Sequence, residues 1–244
     1  MPHGEIPNFV TIIAQYLKQG PLSDLLLRWE NIIFSVMALA VISSVAYLAS
    51  RKISLVPSRL QAAFELFVAG VDDFVCGIIG RKGRIYTPFI GTLFIYILFM
   101  NLLGLVPLMK SSTTSWSITL ALAITVFFYV QYAGIRRLGL LGYIDHLLGR
   151  PRGILAFSVV MPLMMLFLHV VSELVRPISL SLRLRSNIWG DDMLISLVAG
   201  FGLKGLPLLL FNSALAILAS VVQATVFCLL TTIYFALVLT REEA

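Results

Sequence analysis

Apolar positions along the chain fall into unbroken runs long enough to cross a bilayer as helices, for which about 20 residues suffice. The first is Asn31 to Ser50 (NIIFSVMALAVISSVAYLAS), halted by Arg51 and Lys52. Pro57 to Gly80 follows, helical in pattern but carrying Arg59, Glu65, Asp72 and Asp73. That density of charge suits an amphipathic helix at the interface, or one covered by protein, better than a lipid-facing span. Pro88 to Pro107 and Ser115 to Ile135 are predicted as a spanning hairpin joined by the polar turn KSSTTS. After Arg136 and Arg137, a loop with Gly139, Gly142 and Gly149 runs to Pro151. Two long helical stretches close the chain, about Leu155 to Leu203 and Pro207 to Thr240, with Gly202 and Gly205 at the turn between them. Pro162 and Pro177 kink or divide the first of these.

The pattern predicts an all-α polytopic membrane protein with about five membrane helices, the last two long, plus one amphipathic interfacial helix. Its segments are an N-terminal stretch 1–30, a first span 31–50, the amphipathic helix 57–80, a spanning hairpin 88–135 and a long helical pair 153–240. No internal repeat or low-complexity segment is visible. Met1 to Arg28 lacks a basic stretch followed by a short apolar core, so no cleavable signal peptide is expected.

Composition agrees with the pattern. Of the 244 residues 59% are hydrophobic and only 12% charged, against about 25% charged in soluble domains. Most of the surface is therefore expected to be solvated by lipid. The net charge of +6 does not point to nucleic acid, because the basic residues flank apolar runs instead of forming one patch. Arg51, Lys52, Arg59, Arg81, Lys82 and Arg84 lie between the first span and the hairpin, and Arg136, Arg137, Arg150 and Arg152 lie after it. Only Lys110 and Lys204 occupy the opposite loops, and Lys18 and Arg28 the N-terminal segment. The positive-inside rule then puts the N-terminus outside and the C-terminus in the cytoplasm. Cys76 and Cys228 form no CxxC pair and lie in apolar surroundings, so neither a disulfide framework nor a metal site is implied, and no cofactor is expected.

The informative stretch is HVVSELVRPISLSLRLRSNIWGDDM, His169 to Met193. An ionised side chain at mid-bilayer costs about 2.5–3.5 kcal/mol even on insertion scales, yet this stretch holds His169, Glu173, Arg176, Arg183, Arg185, Asp191 and Asp192, with Asn187 among them. These groups must line water, pair with one another or face a polar partner. Positions 169, 173, 176, 183, 187 and 191 recur at three-, four- or seven-residue intervals and share one helical face. Arg185 and Asp192, seven apart, share another. Arginine keeps its charge at any working pH, so Arg183 is a fixed cation and not a relay. Carboxylates and histidine can bind and release protons when burial and neighbours move them toward neutrality. A fixed cation beside titratable groups is the electrostatic pattern of a gated proton path.

Plainer readings stand beside this one. Arg176 can snorkel to an interface or pair with Glu173, and His169 can be a hydrogen-bonded packing residue. Asn101 and Gln223, each alone in an apolar run, fit interhelical hydrogen bonds. Met161, Met164 and Met165 fit core or lipid contacts. Arg183 itself can pair with Asp191. A self-contained transporter or channel is the alternative class, although transporters often show two similar halves. A purely structural scaffold leaves the cost of the polar stripe unexplained.

The string PISLSLRLRSNIWGDD resembles the signature of subunit a of F-type ATP synthases. On that resemblance Arg183 falls on the family's essential arginine, Asn187 on its asparagine and Asp192 on its acidic position. PFIGTLFIYILFMNLLGLVP is similar to the family span that bears an asparagine, here Asn101, and SVVQATVFCLLTTIYFALVL to its last helix, with Gln223 at the glutamine. The resemblance covers the chain from about Gln61 onward. It implies two long tilted helices curving around a ring of c subunits, with peripheral-stalk b subunits as further partners of an ATP synthase complex. It also implies two offset half-channels for H⁺, separated by Arg183, whose flow turns the ring and drives ATP synthesis elsewhere. Asp192, Asp191, Glu173 and His169 are its candidates for the outside half-channel. The implied location is a bacterial inner membrane, or an organelle membrane equivalent to it. Four positions depart from the pattern: Arg185-Ser186 stands where Phe-Gly is usual, Asp192 replaces Glu, and Ala216 replaces a His or acidic group. Arg185 is expected to pair with Asp192. Whether Asp191 or Asp192 lines the path, and whether the ion is H⁺ or Na⁺, stay open at this level.

Overall fold

In the computed structural model the described residues form helices and turns, with no strand among them. They are 9–16, 21–50, 58–106, 109, 111–147, 164, 167–168, 171, 175, 178–179, 181–183, 185–186, 188–190, 193–198 and 200–239. Helices α1 (Phe9–Tyr16) and α2 (Pro21–Ser50) pack on each other and are followed by α3 (Arg59–Ile79). A 3-10 turn (Arg81–Tyr86) leads into α4 (Thr87–Leu103), and a second (Ser112–Thr114) into α5 (Trp116–Leu147). Every described residue from 164 to 198 is helical, and we call these residues the arginine segment. A third 3-10 turn (Gly202–Gly205) opens α6 (Leu206–Leu239).

Among the described residues four stretches are long and apolar enough to cross a membrane: Leu25–Ala49, Arg81–Leu103, Trp116–Arg137 and Leu206–Val238. About half of a further expected span, Leu155 to Leu203, lies outside the described residues. At most 39% of any of these windows is buried inside the chain, so their apolar surface is left for lipid or partners. This is an all-α polytopic membrane protein. α3, with its four charged residues, is not one of the spans.

Two helix bounds differ from the apolar runs. α2 begins at Pro21, well ahead of Asn31, because proline suits a first turn and Leu25, Leu26 and Leu27 extend the helical pattern. α5 continues past Arg136 and Arg137 to Leu147, with its helical geometry broken only at Gly139 (φ 72°, ψ 162°). A change from apolar to polar sequence ends a span without ending a helix.

α6 is the centre of the bundle, touched by α3, α4 and α5. Its buried residues recur at three- and four-residue spacing: Ala224, Phe227, Cys228, Phe235 and Val238 meet Ile90, Leu93 and Ile97 of α4 and Val126 and Val130 of α5 in one core. Phe235 is fully buried in an aromatic cluster, its ring 4.5 Å from that of Tyr86 and 5.6 Å from that of Tyr129. Tyr129 in turn lies 4.3 Å from Phe89.

α3 is fixed at both ends by local chemistry. The Ser58 side chain accepts the Gln61 backbone N–H at 3.3 Å, an N-cap that satisfies one orphan donor. At the other end Gly80 takes a positive φ of 86° and donates its N–H to the Cys76 carbonyl at 2.9 Å, a backbone shape that favours glycine. Asp72 ties α3 to the next element, accepting from Thr87 Oγ1 at 2.8 Å and pairing with Arg84 Nε at 3.0 Å. The Arg84 side chain is 78% exposed, so that ion pair contributes little.

The aromatic cluster generates a stability prediction. Phe235→Ala should cost toward the lower end of about 3–5 kcal/mol, because the cavity penalty remains while lipid softens the transfer term. Leu237→Ala, on an exposed position two residues on, should cost far less. Thermal unfolding of the two variants in detergent checks the ranking.

Candidate functional site

The arginine segment shows two faces. Ser181 and Ile188, seven residues apart, are 1% and 7% exposed, and Ile188 belongs to the core shared with α6. Arg185 lies between them, half-buried. Successive positions turn by about 100°, so Arg183 stands about 200° from both Ser181 and Arg185. It is exposed, as is Leu182 beside it. The chain therefore buries one face of the segment in itself and leaves the arginine on the other.

Helical spacing assigns His169, Glu173, Asn187 and Asp191 to the Arg183 face, and Asp192 to that of Arg185. All five, and Arg176, lie outside the described residues.

Asn101 and Gln223 sit on different helices at different depths. A hydrogen bond from Cys228 Sγ to the Ile90 carbonyl, 3.6 Å, sets α6 against α4. The Tyr86–Phe235 stack farther along shows that the two helices run antiparallel. At about 1.5 Å per residue, Asn101 lies about 16 Å from the level of Ile90, and Gln223 about half as far in the same direction. Gln223 is 4% exposed on the stripe of α6 that faces the bundle, with Asn212, Ala216 and Ser220. Ser220 Oγ donates to its own helix at the Ala216 carbonyl, 2.7 Å.

Asn101 belongs to a closed hydroxyl network at the end of the bundle away from Arg81, Lys82 and Arg84. Its Oδ1 accepts from Thr113 Oγ1 at 3.2 Å. The Thr113 and Ser111 hydroxyls lie 2.6 Å apart, and Ser111 Oγ donates to the Met100 carbonyl at 2.9 Å. Ser112 Oγ reaches the Asn31 carbonyl of α2 at 2.7 Å. Ser111, Ser112 and Thr113 are all at most 1% exposed. Ser111 to Thr113 of this turn, polar in sequence, are thus a buried joint that fastens α2, α4 and α5 together.

Three features escaped the sequence reading. One is that joint. Another is Asn212, 7% exposed, whose Nδ2 is buried with no hydrogen-bond partner; its only sequence signal is an amide in an apolar run. The third is Trp116, over whose ring the Arg185 guanidinium carbon sits at 5.2 Å. Among the described residues no three His, Cys, Asp or Glu side chains converge as a metal site would require.

Comparison with known proteins bears on the same residues. A family model described as ATP synthase A chain matches residues 32–236. The chain is 41% identical to ATP synthase subunit a of Protochlamydia amoebophila (strain UWE25), an alignment covering 98% of this chain and 90% of that one. It is 40% identical to ATP synthase subunit a of Solidesulfovibrio magneticus, over 84% of this chain and 82% of the relative. Similarity to ATP synthase subunit a of Moorella thermoacetica is also 40%, over 78% and 81%.

The hydroxyl joint is testable by a double-mutant cycle. Thr113→Val strands the buried Asn101 oxygen and should cost about 1–3 kcal/mol, whereas adding Asn101→Leu should recover part of that loss. Thermal unfolding of the two single variants and the double checks this; strict additivity would contradict the bond.

Proposed function

The chain belongs to the ATP synthase subunit a family, and on that premise we propose that it is the ion-conducting stator of an F-type ATP synthase, with Arg183 as the barrier of its path. The observation that carries the role of Arg183 is its exposure on the face opposite Ser181 and Ile188. A guanidinium in an apolar segment is costly unless a partner or water meets it, and the chain's own core does not. A carboxylate on a passing ring of c subunits is the partner that offsets this cost. At contact distance their attraction is several-fold stronger in a low-dielectric site than in bulk water.

In this reading ions enter from outside through a half-channel lined by Asp192 or Asp191 with Glu173 and His169. They bind the ring carboxylate, ride the ring around and leave through a second half-channel to the cytoplasm. Arg183 cannot itself carry a proton away, so it keeps the two half-channels from short-circuiting and holds each returning carboxylate ionised. Asn187 and Gln223 line the same path, and Asn101 holds the outer joint beside it. H⁺ is the proposed ion, a bacterial inner membrane the proposed location, with the N-terminus outside and the C-terminus cytoplasmic. Peripheral-stalk b subunits keep the chain from turning with the ring. The enrichment of basic residues at the Arg81–Arg84 turn and at Arg136–Arg137 supports that orientation.

Arg183→Ala should abolish coupled ATP synthesis and ATP-driven pumping while the complex still assembles; near-normal coupled pumping, measured in inverted vesicles, would refute the assignment. Asp192→Asn should slow ion flux. If only Asp191→Asn does so, helical position and not the motif alignment identifies the path carboxylate.

A further inference from the structure

We infer that Arg185 is a positioning residue for Arg183, held through the Trp116 ring; the inference rests on the reading of Arg183 given above. Its guanidinium carbon stands 5.2 Å from the ring centroid, within the range where a cation is attracted to an aromatic face. Such a contact holds the cation without neutralising it, and the planar guanidinium is suited to lie against a ring.

The ring sits on a fixed platform. Trp116 is the first residue of α5, directly after the hydroxyl joint. Ser112 is bonded to the Asn31 carbonyl of α2, and Ser111 to the Met100 carbonyl of α4. The Trp116 carbonyl accepts from Thr119 Oγ1 at 3.3 Å. A force on Trp116 is therefore resisted by three helices.

Among the described residues two contacts then orient the roll of the arginine segment. Ile188 is buried in the core with Ala224 and Phe227 of α6, and Arg185, three residues earlier, is held at the head of α5. Both lie on the face of Ser181, and Arg183 is left facing out. A roll by one residue position would swing Arg183 by about 100°, away from any partner that meets that face. Ile188 alone supplies a nonpolar contact that tolerates rolling. The cation–ring contact is the directional one.

The test uses the assembled complex in inverted membrane vesicles, following ATP-driven acidification with a pH-sensitive dye and normalising to assembled complex. Arg185→Gln and Trp116→Leu should each lower coupled pumping about three- to tenfold and raise passive proton leak. The double variant should be no worse than either single. Arg185→Lys and Trp116→Phe, which keep a cation and a ring, should retain at least half the parental rate. Parental pumping in Arg185→Gln overturns the inference, as does a double variant whose loss is the product of the two singles. Equal impairment, or equal loss of assembled complex, in Arg185→Lys and Arg185→Gln also overturns it. Arg183→Ala separates the two claims. If it pumps normally the barrier reading fails; if it is inactive while Arg185→Gln pumps normally, only the positioning role fails.

Discussion

A guanidinium cannot shed its charge to enter a membrane, and the protein around Arg183 is arranged about that constraint. Aspartate, glutamate or histidine at such a depth could neutralise by taking up or losing a proton; arginine must find a charged or hydrated partner. The chain spends the polar groups of its bundle elsewhere: Asn101 on Thr113, Ser112 on Asn31, Asp72 on Arg84 and Thr87. Arg183 is turned to the surface. The fold presents this charge outward, on a segment whose Ile188 is packed into the core with α6, and in the proposed function it faces another molecule.

Apart from amide atoms such as Asn212 Nδ2, the hydroxyls of the bundle follow the rule that polar groups within a membrane be satisfied internally. Thr231 and Thr232 of α6 donate to Phe227 and Cys228 carbonyls of their own helix, and Thr125 of α5 does the same with Ala121. These hydroxyls cost little and leave the apolar surface to packing. The side chains of the Ser111–Thr113 turn instead cross between elements and so help to fix α2, α4 and α5 relative to one another. Placing that joint next to Trp116 gives Arg185 a rigid anchor, which is how a turn far in sequence comes to bear on Arg183.

What could be read in advance follows from the range of each signal. Runs such as Phe89–Leu103 or the apolar stretch of α6 are local and long, so they announced membrane helices from sequence alone. Charges at Arg59, Glu65, Asp72 and Asp73 likewise marked α3 as different from a span. The continuation of α5 through Arg136 and Arg137 was not legible, because polarity reports where lipid ends and not where a helix ends. The hydroxyl joint and the Arg185–Trp116 contact were invisible for another reason. They join residues that only the tertiary fold brings together, and helical periodicity carries no information about a partner 69 positions away. The pairing of Arg185 with Asp192 expected on spacing involves a residue outside the described set, whereas the ring of Trp116 has no spacing signature at all. Family resemblance located Arg183, and the fold contributed the face on which it stands.

The most direct measurement is an experimental structure of the whole complex in a lipid environment, at a resolution that shows side chains and ordered water. The account predicts the Arg183 guanidinium at the boundary between this chain and a ring of c subunits, within about 4 Å of a ring carboxylate, with water reaching that level from each side but not across it. An Arg183 paired with a carboxylate of its own chain, or lying along a continuous water path through this subunit alone, would contradict it.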